Sequence, residues 1–523
     1  VKFEPSATGR LFFAIALRNS IQRIYYRKIE TGGSMALKTA EEYKQSLRKM
    51  RPNIYKFGRL IEDVTTDPVT KWTVEGHSQI YKAQNDPELK DKVTVISHLT
   101  GEPISRYLSI IRSAQEQIDN SKMKRLMFQL SGTCTGGRCA GWTAINAMWA
   151  TTYDMDNDLK TNYHQRLTEW LKSAQERDIT ISGALTDPKG DRTKKPSQQD
   201  DPDMNLRIVE KRDDGIVVRG AKVMICGIAA ANEVFVLPGS SYKEEDADWA
   251  VSFVVPKDIE GLTIVEARHP NDTREQEEQD SFDNPVKQGG ITQAYLFFED
   301  VFIPNERVFM AGEYKYTGSA VVNFILPYRA AIGGCVAGQG DIKVGAAILT
   351  ARANGLPSKV FSDKLTQMYI NNETTFGMGI AAAVLGKKHP SGAWQPDPLI
   401  ANINKALVAR LPYETSVLAQ DIAGGIGETG CMPSYVDYND ENYGHLIKKY
   451  LKAAASAETR MRAARLVEWT TTGAGIPGCM HGGGSADGAK MFVRLFSGME
   501  NSVKVAKRLA GIEEELPEPA KKK

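Results

Sequence analysis

The apolar residues of this chain change their period twice, and that double change limits the folds open to it. From Thr39 to about Lys172 they recur at three- and four-residue steps, in segments such as Ala40–Met50 and Arg106–Ile118, as helices with one buried face require. The middle of the chain reads differently. Leu206–Glu210 and Ile216–Arg219 flank Lys211-Arg212-Asp213-Asp214-Gly215, which predicts a hairpin around an Asp-Gly turn. Trp249–Val255 and Ala294–Phe298 are further strand-like runs, and the acidic, Gln-rich stretch Arg274–Asp280 between them reads as a solvated loop. From about Thr317 the helical period returns in Asp341–Ala353, stopped at Gly355, and in Ser358–Met378 and Glu458–Thr472. The order helices, strands, helices predicts an α+β chain.

At 523 residues the chain is too long for one core. The expected divisions are an N-terminal helical domain over 35–175, a middle β domain over 176–314, a C-terminal helical bundle over 315–511 and a charged, disordered tail over 512–523. Met35 leads into a capping box, Thr39 and Glu42, and reads as the true start. Residues 1–34 are then a disordered extension, with a basic transit-like leader as the alternative. Lys and Arg number 66 against 64 Asp and Glu, so no nucleic-acid or membrane-surface partner is expected. The most apolar stretch, near Val321–Leu326, is soon interrupted by Pro327 and Arg329, short of the roughly eighteen residues of a membrane span. Six cysteines in so long a chain are no disulfide framework. They suit a reducing, cytoplasmic compartment.

Three of those cysteines stand in notable contexts. Cys134 and Cys139 bracket the run Cys-Thr-Gly-Gly-Arg-Cys, and Cys335 closes Arg-Ala-Ala-Ile-Gly-Gly-Cys. Three soft thiolates can begin an iron–sulfur site. They can equally be small buried hydrophobes.

Longer motifs carry a resemblance. They are Thr151-Thr152-Tyr153-Asp154 with Thr161-Asn162-Tyr163-His164; Gly183-Ala184-Leu185-Thr186-Asp187-Pro188-Lys189-Gly190-Asp191-Arg192; Arg207-Ile208-Val209-Glu210-Lys211-Arg212; Asp300-Val301-Phe302-Ile303-Pro304-Asn305-Glu306-Arg307; and Met480-His481-Gly482-Gly483-Gly484-Ser485. With these, the chain resembles the family of 4-hydroxyphenylacetate 3-hydroxylases and 4-hydroxybutyryl-CoA dehydratases, nearer the dehydratase (vinylacetyl-CoA isomerase) branch, from about Met35 to about Ile512. The resemblance implies an acyl-CoA dehydrogenase-like fold with a β-barrel-like middle domain, FAD as cofactor and a homotetramer. It implies that Lys189, Gly190, Asp191 and the turn Lys195, Pro196, Ser197 and Gln198 line the flavin, with Gly482, Gly483, Gly484 and Ser485 approaching from the C-terminal side. It also implies a 4Fe-4S cluster on Cys134, Cys139 and Cys335, and radical-type dehydration or isomerisation of an acyl-CoA-like substrate. Two alternatives stand beside it. One is a two-component aromatic hydroxylase fed by a flavin reductase or another electron carrier. The other is a flavin-binding relative that has lost catalysis.

The chain departs from the family pattern at several catalytic positions. Cys134 and Cys139 are one residue farther apart than in the dehydratases. The cluster's His falls on Tyr328, a general-acid Tyr on Ile332 and a Lys on Val336. Two Glu positions fall on Gln293 and Gly478, and a flavin-side Thr falls on Cys226. The hydroxylases' substrate His falls on Gly183. Ile and Val neither donate nor accept a proton, and Gln offers no carboxylate base. The resemblance therefore leaves Tyr328, Gln293 and His481 as the polar candidates for catalysis, and Cys226 or Cys479 as candidates for a fourth cluster ligand.

Overall fold

The computed structural model describes residues 37–134, 136–268, 282–286, 292–472 and 481–515. Cys479, Gly478, the Arg274–Asp280 loop and the N-terminal extension lie outside the described residues.

Five longer helices fill the first zone: α1 (Ala40–Arg48), α2 (Lys71–Gln84), α3 (Ala114–Ser131), α4 (Gly136–Leu159) and α5 (Tyr163–Glu176). Thr39 and Glu42 close the capping box at α1, each satisfying the other's backbone N–H. The expected helix Arg106–Ile118 is shorter at its start. A single 3-10 turn covers Arg106–Leu108, and α3 begins only after Ser113, whose hydroxyl caps Glu116 N. Two short hairpins interrupt the zone, β1 (Ile54–Lys56) with β2 (Arg59–Ile61) and β3 (Thr94–Ile96) with β4 (Pro103–Ser105). The first turns at Phe57 and Gly58, both at positive φ, the signature of a two-residue type I′ loop.

The middle zone contributes β5 (Ile181–Ala184), β6 (Arg207–Arg212), β7 (Gly215–Cys226), β8 (Glu233–Val236), β9 (Val251–Pro256), β10 (Leu262–Glu266), β11 (Gln293–Pro304) and β12 (Val308–Ala311). They form two sheets, ordered β2-β1-β10-β11-β7-β6 and β12-β9-β8-β5. Among the described residues the expected barrel-like closure is not there: each sheet is open, with end strands that do not pair with each other. The edge strands β2, β5 and β12 are only three or four residues long, too short to pair around a cylinder. The predicted hairpin is β6–β7, with Arg212 paired to Gly215 across Asp213 and Asp214.

The last zone is helical: α6 (Thr317–Ala353), α7 (Ser362–Val384), α8 (Pro398–Val408), α9 (Leu411–Ala423), α10 (Ala457–Thr471), α11 (Ala486–Phe496) and α12 (Met499–Ala510). Contrary to the sequence reading, Pro327 does not break the apolar run. α6 continues through it for 37 residues. A proline inside a helix costs about 3 kcal/mol. Phe324, Ile325, Leu326, Ala330 and Ala331 are all buried around it, and burial of this order outweighs that cost. The helix is apolar enough to pass for a membrane span, yet its most apolar window is 72% buried inside the protein. It is the axis of a bundle, packed by α3, α7, α8, α9 and α10.

Buried ion pairs hold the middle zone together and anchor α5 on it. Arg177, just past the end of α5, and Arg307 donate to the Glu233 carboxylate of β8 at 2.8 and 3.2 Å, and Trp170 Nε1 of α5 adds 2.9 Å. Burial alone would raise this carboxyl, but the two guanidiniums overcome it and hold Glu233 at about 2. Lys222 of β7 donates to Asp187 Oδ1 at 2.6 Å and to the carbonyls of Leu185 and Leu237 at 3.2 and 3.1 Å.

Candidate functional site

Close backbone contact brings the separated cysteines together. α4 lies on β5 where Gly141 meets the Ile181 carbonyl and Gly183 meets Ala140; a Cβ on either would overlap backbone. At the head of α4, Gly137 leaves no room for a side chain against the Cys226 carbonyl. α6 meets α3 in the same manner, Gly334 against the Ser121 carbonyl and Gly338 against that of Arg125. Cys139 on α4, Cys134 just before it and Cys335 on α6 consequently border one cavity of about 20 Å³. Its other walls are Lys124, Gly136, Tyr328, Ile332 and Val336. Tyr328, Ile332 and Val336 are four residues apart on α6 and so share one face.

The chemistry of this cavity is thiol-rich. Hydrogen bonding to Cys134, with burial behind it, pushes the Cys335 thiol up to about 12. Interaction with Cys335 and burial likewise raise Cys139. Burial raises the Tyr328 phenol, and Cys134, Cys226, Cys139 and Cys335 all add to that effect. Against this stands Lys124, 3% exposed on α3. Its ammonium lies 5.3 Å from the Trp142 ring and 5.6 Å from the Tyr328 ring, and it favours the anionic form of Cys139 and Cys335. The sequence reading missed Lys124. In sequence it stands in the basic run Lys122-Met123-Lys124-Arg125, and only the helical register it shares with buried residues such as Gln117, Ser121 and Phe128 sets it apart.

Other candidates join from the sides. Cys226 ends β7, and Gln293 Nε2 lies 3.9 Å from its sulfur. Burial pushes this thiol up to about 11. Gly483 packs on the Tyr328 ring, its carbonyl accepts Arg329 Nε at 2.9 Å, and Ser485 caps α11. His481 is exposed at the start of that turn. His77, also missed, is buried beside Gly227 with Nδ1 unpartnered, and burial lowers it to about 3.

The expected flavin turn has different surroundings. Lys189 and Gly190 both hold positive φ. The turn begins at Asp187, which Lys222 fixes from below while the Tyr242 hydroxyl donates at 3.1 Å. Gly190, Asp191, Lys195, Ser197 and Gln198 are exposed, and Lys189 and Pro196 are half-buried. Ser197 is already engaged, donating N–H and O–H to Asp246. Contacts of this turn run to Gln199, Met204 and Asp246 rather than to the thiols.

No three His, Cys, Asp or Glu side chains among the described residues converge as ligands of a single metal ion. Ligands of one ion stand within about 2.3 Å of a common point, whereas thiols around a cluster surround a larger body.

Residues 39–310 match the model of the 4-hydroxyphenylacetate 3-hydroxylase N-terminal family and 317–511 that of the C-terminal family. The chain is 40% identical over 491 residues to the 4-hydroxybutyryl-CoA dehydratase/vinylacetyl-CoA-Delta-isomerase of Clostridium aminobutyricum, covering 91% of this chain and 100% of that one. It is 25% identical over 452 residues to the 4-hydroxyphenylacetate 3-monooxygenase oxygenase component of Thermus thermophilus, covering 84% and 89%. Among solved structures, an oxygen-tolerant archaeal 4-hydroxybutyryl-CoA dehydratase from N. maritimus superposes with TM-score 0.88 at 35% identity, over 93% of this chain and 98% of that one. An oxygenase component of 4-hydroxyphenylacetate 3-monooxygenase complexed with FAD has the same fold, with TM-score 0.79 at 21% identity over 90% and 99%.

Proposed function

The chain belongs to the 4-hydroxyphenylacetate 3-hydroxylase family of enzymes, and on that premise we propose that it is a flavin-dependent enzyme acting on an acyl-CoA-like thioester with the help of an iron–sulfur cluster. The observation that carries this reading is the convergence of Cys134, Cys139 and Cys335 on one buried cavity beside Tyr328. The 40% identity to a dehydratase supports the substrate class.

The donor set fits a cluster in kind: soft thiols, a nearby ammonium and few competing oxygen ligands. The cavity of about 20 Å³ holds little more than one water, so a bound cluster would require the thiols to stand farther apart. Cys134, Cys139 and Cys335 would hold it, and it would supply a Lewis acid and a one-electron carrier. Lys189, Gly190 and Asp191 would help to hold FAD, on a tight turn set by the positive φ of Lys189 and Gly190. A homotetramer and a cytoplasmic setting accompany this reading.

The chain's own residues have definable tasks. Lys124 offsets anionic charge in the cavity. Tyr328, held protonated, offers a hydroxyl donor at its wall. Gln293 orients Cys226 without acting as a base. Ile332 and Val336 exclude water but move no proton. That last pair favours a second reading, a member that keeps cofactors and has lost or altered the proton transfers of the dehydratases.

Anaerobic purification with iron, sulfide and flavin quantitation tests the proposal. About four irons and one flavin per chain support it. Flavin without iron sinks the cluster branch, and neither cofactor sinks the enzyme reading.

A further inference from the structure

We propose that Cys226 completes a four-thiol set with Cys134, Cys139 and Cys335, so that this chain would hold its cluster through sulfur alone. The assignment rests on the iron–sulfur reading above and adds the ligand that reading leaves open.

The geometry singles out Cys226. A Cβ on Gly136 would stand 3.5 Å from Cys134 Sγ and 3.7 Å from Cys226 Sγ. Both sulfurs therefore border one methyl-sized gap, and glycine keeps it empty. The Tyr328 phenol has all four thiols as electrostatic neighbours; Cys134, Cys139 and Cys335 line the cavity itself, and Cys226 stands against Gly136, one of its walls. Cys226 is itself an electrostatic neighbour of Cys139. An amide N–H from Gln293 faces its sulfur at 3.9 Å, and such donors orient and stabilise a ligating thiolate.

Tyr328 is the competing ligand, and its ring is clamped. Phe324 stacks on it at 5.7 Å with an interplanar angle of 16°. On its edge, a Cβ at Gly483 would come within 2.6 Å of Cδ1. Cys226 needs only one side-chain torsion to turn its sulfur. A fourth thiolate adds a negative charge that a neutral nitrogen ligand would not, and Lys124 is the buried cation available to offset it. Sulfur-only ligation lowers the reduction potential relative to a site with imidazole, so a cluster held this way would be a stronger reductant than one with three thiolates and a histidine.

The test compares anaerobically reconstituted full-length wild type with Cys226→Ala, Cys226→Ser, Tyr328→Phe and His77→Ala, reading iron, acid-labile sulfide, the electron paramagnetic resonance signal and the midpoint potential. Flavin content and the thermal midpoint control for folding. The proposal expects about four irons in wild type and in Tyr328→Phe, with the same signal in both. Cys226→Ala falls to three irons or fewer. The near-isosteric Cys226→Ser, which keeps the packing if alanine does not, shifts the signal or the potential. The assignment is overturned if wild type binds four irons and both Cys226 variants keep them with an unchanged signal, or if Tyr328→Phe or His77→Ala is the variant that loses the cluster. A wild type without iron or sulfide overturns the iron–sulfur reading, and the ligand with it.

Discussion

Replacing Lys222 by methionine tests whether the sheet holds the expected flavin turn in place. Lys222 and Asp187 are each 2% exposed, and burial draws the Lys222 ammonium below its usual value while Asp187 opposes that. Methionine fills most of the volume but removes three donated hydrogen bonds, to Asp187, Leu185 and Leu237. Asp187 is then left with Tyr242 and with Lys189, 3.9 Å away and partly in solvent. Breaking one side of a buried pair costs about 3–5 kcal/mol, and the two carbonyls that lose a donor place Lys222→Met near the upper end. Urea unfolding followed by tryptophan fluorescence measures this loss. The matching double variant, Asp187→Asn with Lys222→Met, removes both charges and recovers at least about 2 kcal/mol of the summed single losses, because neither charge is stranded. If about 1.4 kcal/mol of the cost falls on the turn, the flavin dissociation constant rises about tenfold. A Lys222→Met protein within 1 kcal/mol of wild type, or a cycle in which the two losses simply add, refutes the reasoning.

Other consequences follow from the same structure. Glu233 sits at about 2 against an ordinary 4.5, so its contribution is complete above about pH 4.5 and is lost as pH falls toward 2. That amounts to about 3 kcal/mol, and acid titration of stability in Glu233→Gln should lack this limb while starting about 3–5 kcal/mol lower at neutral pH. Gly334→Val drives a side chain into the Ser121 carbonyl and should separate α6 from α3; Cys335 then reacts with a thiol reagent at a rate approaching that in the unfolded chain. In the native protein Cys431, which is exposed, should label with maleimide well before Cys139, mapped by peptide mass. Thr39→Ala opens the α1 capping box and should cost about 1 kcal/mol in denaturant unfolding.

The three-zone layout was legible because helical and strand periods differ strongly over long windows. Features that rest on tertiary contact were not. Tyr55, Lys56 and Leu60 carry too short a pattern to stand out within a helical zone, and their hairpin exists because Ile54 and Tyr55 pair with β10, over two hundred residues away. Pro327 reads as a breaker in sequence, and only its surroundings show the helix continuing. At the candidate site, the cysteines were visible as chemistry, but what joins them is glycine at Gly137, Gly141 and Gly334, whose importance lies in the backbone opposite each. Lys124 was hidden by ordinariness, since a lysine on a helix usually faces water. The turn Lys195–Gln198 was legible as a turn, while the commitment of Ser197 to Asp246 was not.

The spacing of Tyr328, Ile332 and Val336 along α6 has a consequence for how such a protein can change. The glycine crossings around them tolerate no added atom without moving a helix or a strand, so the frame has little freedom to vary. These three rungs differ: each lines the cavity with a side chain instead of meeting a backbone carbonyl through a glycine. Reactivity can thus be rewritten one rung at a time, a phenol for an imidazole or an aliphatic chain for an amine, while the glycine crossings stay as they are. A library confined to positions 328, 332 and 336 would sample chemistry while leaving the architecture fixed.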